Sequence, residues 1–205
     1  MDFEEIKKQT EAFVKEELFT LEPWILNVKW EEKLPKLNEL REKVKSKGLW
    51  LPQISKDYGG LGLTNAEHGE VSEILGASPY GHYCFNCQAP DAGNMEILIE
   101  FGTDQQKETY LYPLLKGEIR SCFAMTEPDY AGSNPVKMGT IAKKENGNYV
   151  INGHKWFTSG FDGSTFAIVM LVSDPENVIP HKKASQVIVQ TSNKGLKFVR
   201  NVSIM

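Results

Sequence analysis

Cysteine is scarce, with three in 205 residues. The odd set Cys84, Cys87 and Cys122 does not read as the disulfide framework of a secreted domain. Cys84-Phe85-Asn86-Cys87 has metal-ligand spacing, with His82 close by. No second CxxC or HxxxH supplies the remaining ligands, so the pair reads as small buried side chains on a helix and no metal is expected. No apolar run approaches the roughly 20 residues that span a bilayer, so no integral membrane segment is expected. The start, Met1-Asp2-Phe3-Glu4-Glu5, lacks the basic and apolar stretches of a secretory signal and is too acidic for a transit peptide. A cytoplasmic chain is the simplest expectation, with a mitochondrial or peroxisomal one as the alternative in a eukaryote. An excess of one charge is missing too: 23 Lys and Arg against 27 Asp and Glu leave a net −4. Nothing general therefore pulls the chain toward nucleic acid or an anionic membrane, and an anionic ligand would need local polar groups and backbone donors. Internal repeats, low-complexity tracts and flexible linkers are absent as well.

What is present is a chain that changes character near residue 120. The length allows one large domain or two modest ones, enough to bury a core. Before the change, apolar residues recur at helical spacing. Ile6, Phe13, Val14 and Leu18 mark one stripe; Leu34, Leu37, Leu40 and Val44 a second; Val71, Ile74 and Leu75 a third; Met95, Leu98, Ile99 and Phe101 a fourth. A fifth helix begins at Thr103, a predicted N-cap with Gln106 as its capping-box partner and Asp104 at the positive end of the dipole. It buries Tyr110, Leu111, Leu114 and Leu115 and ends at Gly117. Tyr58-Gly59-Gly60-Leu61-Gly62 must interrupt the helices as a loop, since that glycine density defeats a helix.

After Ser121 the period shortens toward two. The predicted strands are Ser121–Met125, Met138–Lys143, Tyr149–Ile151, Lys155–Ser159, Phe166–Val172, Gln186–Gln190 and Leu196–Val202. Asn146-Gly147 and Asn152-Gly153 are two-residue hairpin signals, because both central positions of a type I′ turn need positive φ. The expected fold class is α+β: an antiparallel helical domain over residues 1–118, then an antiparallel β-barrel or sandwich over residues 119–205. The last strand runs into Ile204-Met205 without a turn or cap, so the β domain is expected to be cut at its C-terminal edge.

The densest chemistry lies in Cys122-Phe-Ala-Met-Thr-Glu-Pro-Asp-Tyr-Ala-Gly-Ser-Asn134. Pro128 restricts this loop, Gly132 admits a close neighbour, and Thr126 and Ser133 offer hydroxyls. On physics alone it is either a rigid polar loop for an anionic or heteroaromatic ligand or an ordinary strand-to-turn connection.

The same segment resembles the flavin-binding signature of acyl-CoA dehydrogenases, a Thr-Glu-Pro followed shortly by Gly-Ser. Asn86-Cys-Gln-Ala-Pro-Asp-Ala-Gly-Asn-Met95 and Gly102-Thr-Asp-Gln-Gln-Lys107 are similar to the helices that precede it in that family. Pro52 with Tyr58–Leu63 resembles its N-terminal loop, and Ile151-Asn-Gly-His-Lys155 its second flavin-facing hairpin. The likeness covers essentially the whole chain, in order. It is greatest to the members fused in some animals to kinase-like domains, which share Thr-Glu-Pro-Asp, the extra residue before the serine, and the Asn-Cys-Gln-Ala-Pro-Asp run.

The resemblance implies FAD as cofactor, with Phe123, Ala124, Met125, Thr126, Gly132 and Ser133 passing along it. Thr126 would bond the pyrimidine edge through its hydroxyl and N–H, and the Met125 backbone would hold the same ring. Ser133 would lie near the pyrophosphate or the thioester arm of the substrate, and Asn134 stands where an Asp is usual. The hairpin pattern is one residue shorter here. Aligned from the glycine, Trp156-Phe157-Thr158 face the flavin region, with Trp156 and Thr158 inward; aligned from the lysine, Phe157-Thr158-Ser159 do. The first register keeps both chemical types, and strand alternation makes the choice decisive.

The implied activity is FAD-dependent α,β-dehydrogenation of an acyl-CoA, within fatty acid metabolism. Electrons would leave to an electron-transfer flavoprotein or an equivalent acceptor, and the full-length form would be a homo-oligomer, dimer or tetramer. The general base of the family belongs to a C-terminal four-helix domain expected to be absent from these residues, so no catalytic residue is assigned and Glu127 is excluded. A flavin oxidase or monooxygenase on the same scaffold and a non-catalytic binding module are the alternatives.

Overall fold

The computed structural model describes residues 1–132 and 134–202. They fall into two compact units, Met1–Glu96 and Ile97–Met205.

In the first unit, α1 (Phe3–Phe13) opens where the Asp2 carboxylate accepts from the Glu5 amide. It runs through a π-helical turn at Val14–Leu18 into α2 (Phe19–Ile25). After α3 (Trp30–Ser46), the helices α4 (Asn65–Leu75) and α5 (Gly81–Cys84) complete the bundle. The expected stripes form the core, with Ile6, Phe13, Val14 and Leu18, then Leu37, Leu40 and Val44, then Val71 and Leu75 buried, and Leu34 and Ile74 partly buried against them. Each such side chain removed from water contributes about 1.5–3 kcal/mol before entropy is charged against it. Cys84 and Cys87 belong to this core, and burial pushes both thiols up to about 12, which disfavours the thiolate a metal would need. The glycine-rich segment is a loop as predicted. Gly59 sits at φ +83, and a Cβ on Gly60 would fall 2.0 Å from the Ile54 carbonyl oxygen.

The second unit takes up the end of α6 (Asp91–Phe101), then α7 (Asp104–Gln106), a π-helical turn at Lys107–Leu111, and α8 (Tyr112–Lys116). Thr103 and Gln106 form the predicted capping box, and Gly117 ends the helix at φ +74. Leu111, Leu114 and Leu115 are buried, and the Tyr110 ring packs on Phe166 at 4.8 Å. The fourth stripe needs one correction. Met95 and Leu98 are buried, but Phe101, at the very end of α6, is 73% exposed.

The sheet is built on β4 (Phe166–Val172), whose unbroken apolar run suits a strand covered on both faces. β5 (Ala184–Gln190) pairs antiparallel along all of it. The other edge is shared by β1 (Ser121–Ala124), parallel to β4, and by β2 (Ile141–Glu145), which meets β4 only at Ile141↔Val172. β3 (Asn148–Asn152) closes a hairpin with β2 through Asn146 and Gly147 at φ +50 and +81. This is the type I′ turn read from the sequence. Cys122, Ala124, Ala142, Ala167, Val169 and Leu171 form the core on one face.

The sheet is therefore mixed. The antiparallel expectation holds for the two hairpin pairs, whereas β1 and β4 run parallel because the long chain between them provides the return crossover that parallel pairing requires. Two predicted strands are absent from the described residues. Lys155–Ser159 is irregular because Phe157 adopts φ +48, which breaks the two-residue alternation. Leu196–Val202 is held by other means: Phe198 stacks on Phe161 at 5.3 Å, and the Asn201 amide donates to Asp162. The strand expected from Met138 starts at Ile141, since Gly139 and Thr140 turn their amides to a side chain. Asn152-Gly153 is no hairpin turn, as neither residue has positive φ. Glycine is needed at 153 for closeness, because a Cβ there would lie 2.2 Å from the Thr140 hydroxyl. No helix among the described residues is long and apolar enough to cross a membrane.

Candidate functional site

β1 delivers the chain into the polar loop. Ala124 points into the sheet core, while Phe123, on the other face, is half-buried. Beyond it, Met125 and Thr126 run beside the irregular Lys155–Thr158 segment. The Trp156 amide donates to the Thr126 carbonyl at 3.1 Å, and the Thr126 hydroxyl donates to the Trp156 carbonyl at 2.7 Å. The hydroxyl proton is thus committed within the protein. The Thr126 amide is not: it finds no acceptor among the described residues.

Around this bracket the predicted residues gather unevenly. Gly132 lies against Thr126, where a Cβ would come 2.6 Å from the threonine methyl. Trp156 and Phe157 are 41% and 57% exposed, with ring centroids 4.9 Å apart, so two large apolar surfaces face outward beside a free amide donor. Because of the left-handed Phe157, strand alternation cannot decide between the two registers. Thr158 is half-buried, and its hydroxyl has no partner among the described residues. Ser133 lies outside the described residues. Chemically, exposed rings next to an amide N–H suit a flat heteroaromatic ligand with a carbonyl acceptor.

Two residues with no assigned role in the sequence reading stand at the centre. The Glu127 side chain is 4% exposed and the Lys155 side chain 11%, and they pair at 2.8 Å. Glu127 also accepts from the Thr140 amide at 2.9 Å, the Thr140 hydroxyl at 2.5 Å and the Gly139 amide. Lys155 donates in addition to the Met125 carbonyl at 2.8 Å. Burial alone would raise the Glu127 carboxyl, but the hydrogen bonds from Lys155, Thr140 and Gly139 outweigh it and hold the carboxyl at about 2. Burial lowers the Lys155 ammonium, and Glu127 opposes that only in part. With its lone pairs taken by these donors, Glu127 is an anchor and is poorly placed to take a proton from anything else. The sequence carried little signal of this pairing: Glu127 stands between Thr126 and Pro128, with Asp129 close by, and Lys155 between His154 and Trp156.

Comparison with known proteins supports the same two-part reading. The model of the acyl-CoA dehydrogenase N-terminal domain matches residues 2–118, and that of the middle domain matches residues 122–203. Acyl-CoA dehydrogenase family member 10 of Mus musculus is 39% identical over 209 residues, covering 96% of this chain and 19% of the relative. A solved structure of a candidate acyl-CoA dehydrogenase from Mycobacterium abscessus superposes with a TM-score of 0.91 at 33% identity, over 98% of this chain and 53% of the other. A glutaryl-CoA dehydrogenase from Mycobacterium smegmatis, solved in complex with FADH2, shares the fold at 22% identity with a TM-score of 0.71, over 95% and 47% of the two chains. The chain thus spans about a fifth of the mouse relative and about half of each solved chain. With the two domain models matching nearly all of it in order, this chain belongs to the acyl-CoA dehydrogenase family.

Proposed function

We propose that this chain forms the flavin-facing part of an FAD-dependent acyl-CoA dehydrogenase, its helical domain being residues 1–118 and its β domain 119–205. The observation that carries the reading is the Thr126–Trp156 bracket, with an unpartnered amide beside two exposed rings. The residues present fit FAD. The Thr126 amide suits a ring carbonyl, Trp156 and Phe157 suit the ring face, and the free Thr158 hydroxyl suits a ring nitrogen. Phe123, Met125 and Gly132 line the same path in this reading, whereas Ala124 turns its side chain into the sheet core and offers only its backbone. Ser133, outside the described residues, is carried by the resemblance alone. The complex with FADH2 belongs to a relative of the same fold, which makes the flavin the first cofactor to test.

Bound FAD supplies the two-electron acceptor for the hydrogen leaving the substrate β carbon. The chain's own residues orient it: donors fixed at the ring stabilise the charge that arrives during reaction without reorganising. The base that removes the α proton lies outside these residues in this reading. The substrate is an acyl-CoA thioester of fatty acid metabolism, the acceptor an electron-transfer flavoprotein or its equivalent, the assembly a homo-oligomer and the location cytoplasmic.

The test joins this chain to the C-terminal remainder of the Mycobacterium abscessus relative and follows flavin absorbance under anaerobic conditions. Acyl-CoA is expected to bleach the flavin, and in air little oxygen should be consumed. Rapid oxygen consumption would instead indicate an oxidase, and an absence of bound FAD would defeat the reading.

A further inference from the structure

The loop after β1, the residues before β2 and the residues after β3 meet at one buried ion pair. Glu127 holds the Gly139 and Thr140 amides and the Thr140 hydroxyl, and it receives Lys155. Lys155 in turn reaches back to the Met125 carbonyl at 2.8 Å. Thr126, next to Glu127 in the chain, and Trp156, next to Lys155, are the two residues that bracket each other. Glycines stand where these segments press together. A Cβ would meet Thr126 at 2.6 Å from Gly132, Tyr130 at 2.5 Å from Gly139, and Thr140 at 2.2 Å from Gly153.

A buried ion pair is a poor device for stability alone, since well-packed apolar residues in its place often do as well. What it provides that apolar packing does not is direction. Each of these bonds has a fixed donor and acceptor, so the three segments can meet in one arrangement only. The Thr126 amide and the Trp156 ring need such fixing, because neither lies in a regular strand.

We infer that Glu127 and Lys155 are positioning residues. Their buried pair locks Met125–Thr126 against Trp156 and so aims the Thr126 amide and the Trp156 ring at a flat heteroaromatic ligand. The inference rests on the flavin reading for the identity of that ligand, but not for the lock itself. Neither residue touches the ligand; both act through the backbone they hold.

The test measures amide hydrogen exchange in the 205-residue chain at neutral pH, alongside titration of the chimera carrying the same substitutions with FAD, followed by flavin fluorescence. Lys155→Met keeps the length of the side chain and removes its charge; Glu127→Gln removes the acceptor charge; Lys155→Arg restores a cation. In the Met and Gln variants, exchange at Gly139, Thr140 and Trp156 is expected to rise at least tenfold more than exchange at the β4–β5 amides. Lys155→Arg should recover most of that protection, and FAD affinity should fall at least tenfold wherever protection is lost. Unchanged exchange at those amides would overturn the inference. So would equal loss across β4 and β5, which would make the pair a general stabiliser, and so would FAD affinity untouched by lost protection. If the wild-type chain shows the lock and the chimera takes up no FAD at all, the flavin reading fails while the lock stands.

Discussion

At Glu127 the balance of burial against hydrogen bonding has a consequence that can be measured. Its carboxyl lies at about 2 in the folded chain, below the ordinary value of 4.5. A depressed carboxyl contributes stability that is full above the unfolded value and is lost as pH falls through the folded one. Urea unfolding should therefore show stability declining between pH 4.5 and pH 2, by roughly 3 kcal/mol from this group. Glu127→Gln should flatten that decline. At neutral pH it should cost about 3–5 kcal/mol, because it leaves Lys155 buried without its anion. A variant as stable as the wild type would show that the pair is solvated in solution.

Thr158 decides the register at the same scale. In the flavin-loaded chimera, Thr158→Val is expected to slow reduction by acyl-CoA about tenfold, the equivalent of one hydrogen bond of about 1.4 kcal/mol. Ser159→Ala should leave the rate unchanged. The reverse outcome would put Ser159 at the ring and select the alignment made from Lys155.

Among the elements, the helix starts are the most local and therefore the most legible. The box at Thr103 and Gln106 was readable because it needs only two residues at fixed spacing, and Thr64 with Glu67 forms a second at the head of α4. Thr64→Ala and Thr103→Ala should each lower stability by about 1 kcal/mol in thermal unfolding. The strands were less legible. β4 matched its predicted bounds because its apolar run is of strand length and carries Ile168, Val169 and Val172, as suits a strand covered on both faces. By contrast, Lys155–Ser159 and Leu196–Val202 have the composition of strands, but their apolar residues are used in loop contacts. The packing of the π-helical turn between α7 and α8 on the sheet leads to a further prediction. Tyr110 packs on Phe166, and its hydroxyl accepts from the Gln190 amide group at 3.3 Å. A 97–205 fragment should then unfold at a higher temperature than a 119–205 fragment, with circular dichroism showing both helix and sheet. Equal melting would mean that α7 and α8 lend the sheet nothing.

For the molecule as a whole, the 205 residues by themselves are expected to bind FAD weakly or not at all and to dehydrogenate nothing. The second unit exposes Trp156, Phe157, Phe198 and Val199, and the first exposes Phe19, Trp24 and Leu26. Apolar surface on this scale commonly marks a face that another chain segment or a partner covers. Sedimentation should show association that grows with concentration. A yellow, monodisperse monomer bleached by acyl-CoA would overturn this expectation and require a base among residues 1–205.

The sequence by itself determined what depends on near neighbours: helix stripes, caps, the Asn146-Gly147 turn and the polar loop whose resemblance named the family. The parallel pairing of β1 with β4, the left-handed Phe157 and the meeting of Glu127 with Lys155 were decided only by the tertiary structure. The physical reason is range. A cap or a turn is settled within four residues, whereas Glu127 becomes an anchor only once folding carries Gly139, Thr140 and Lys155 around it and takes them all out of water.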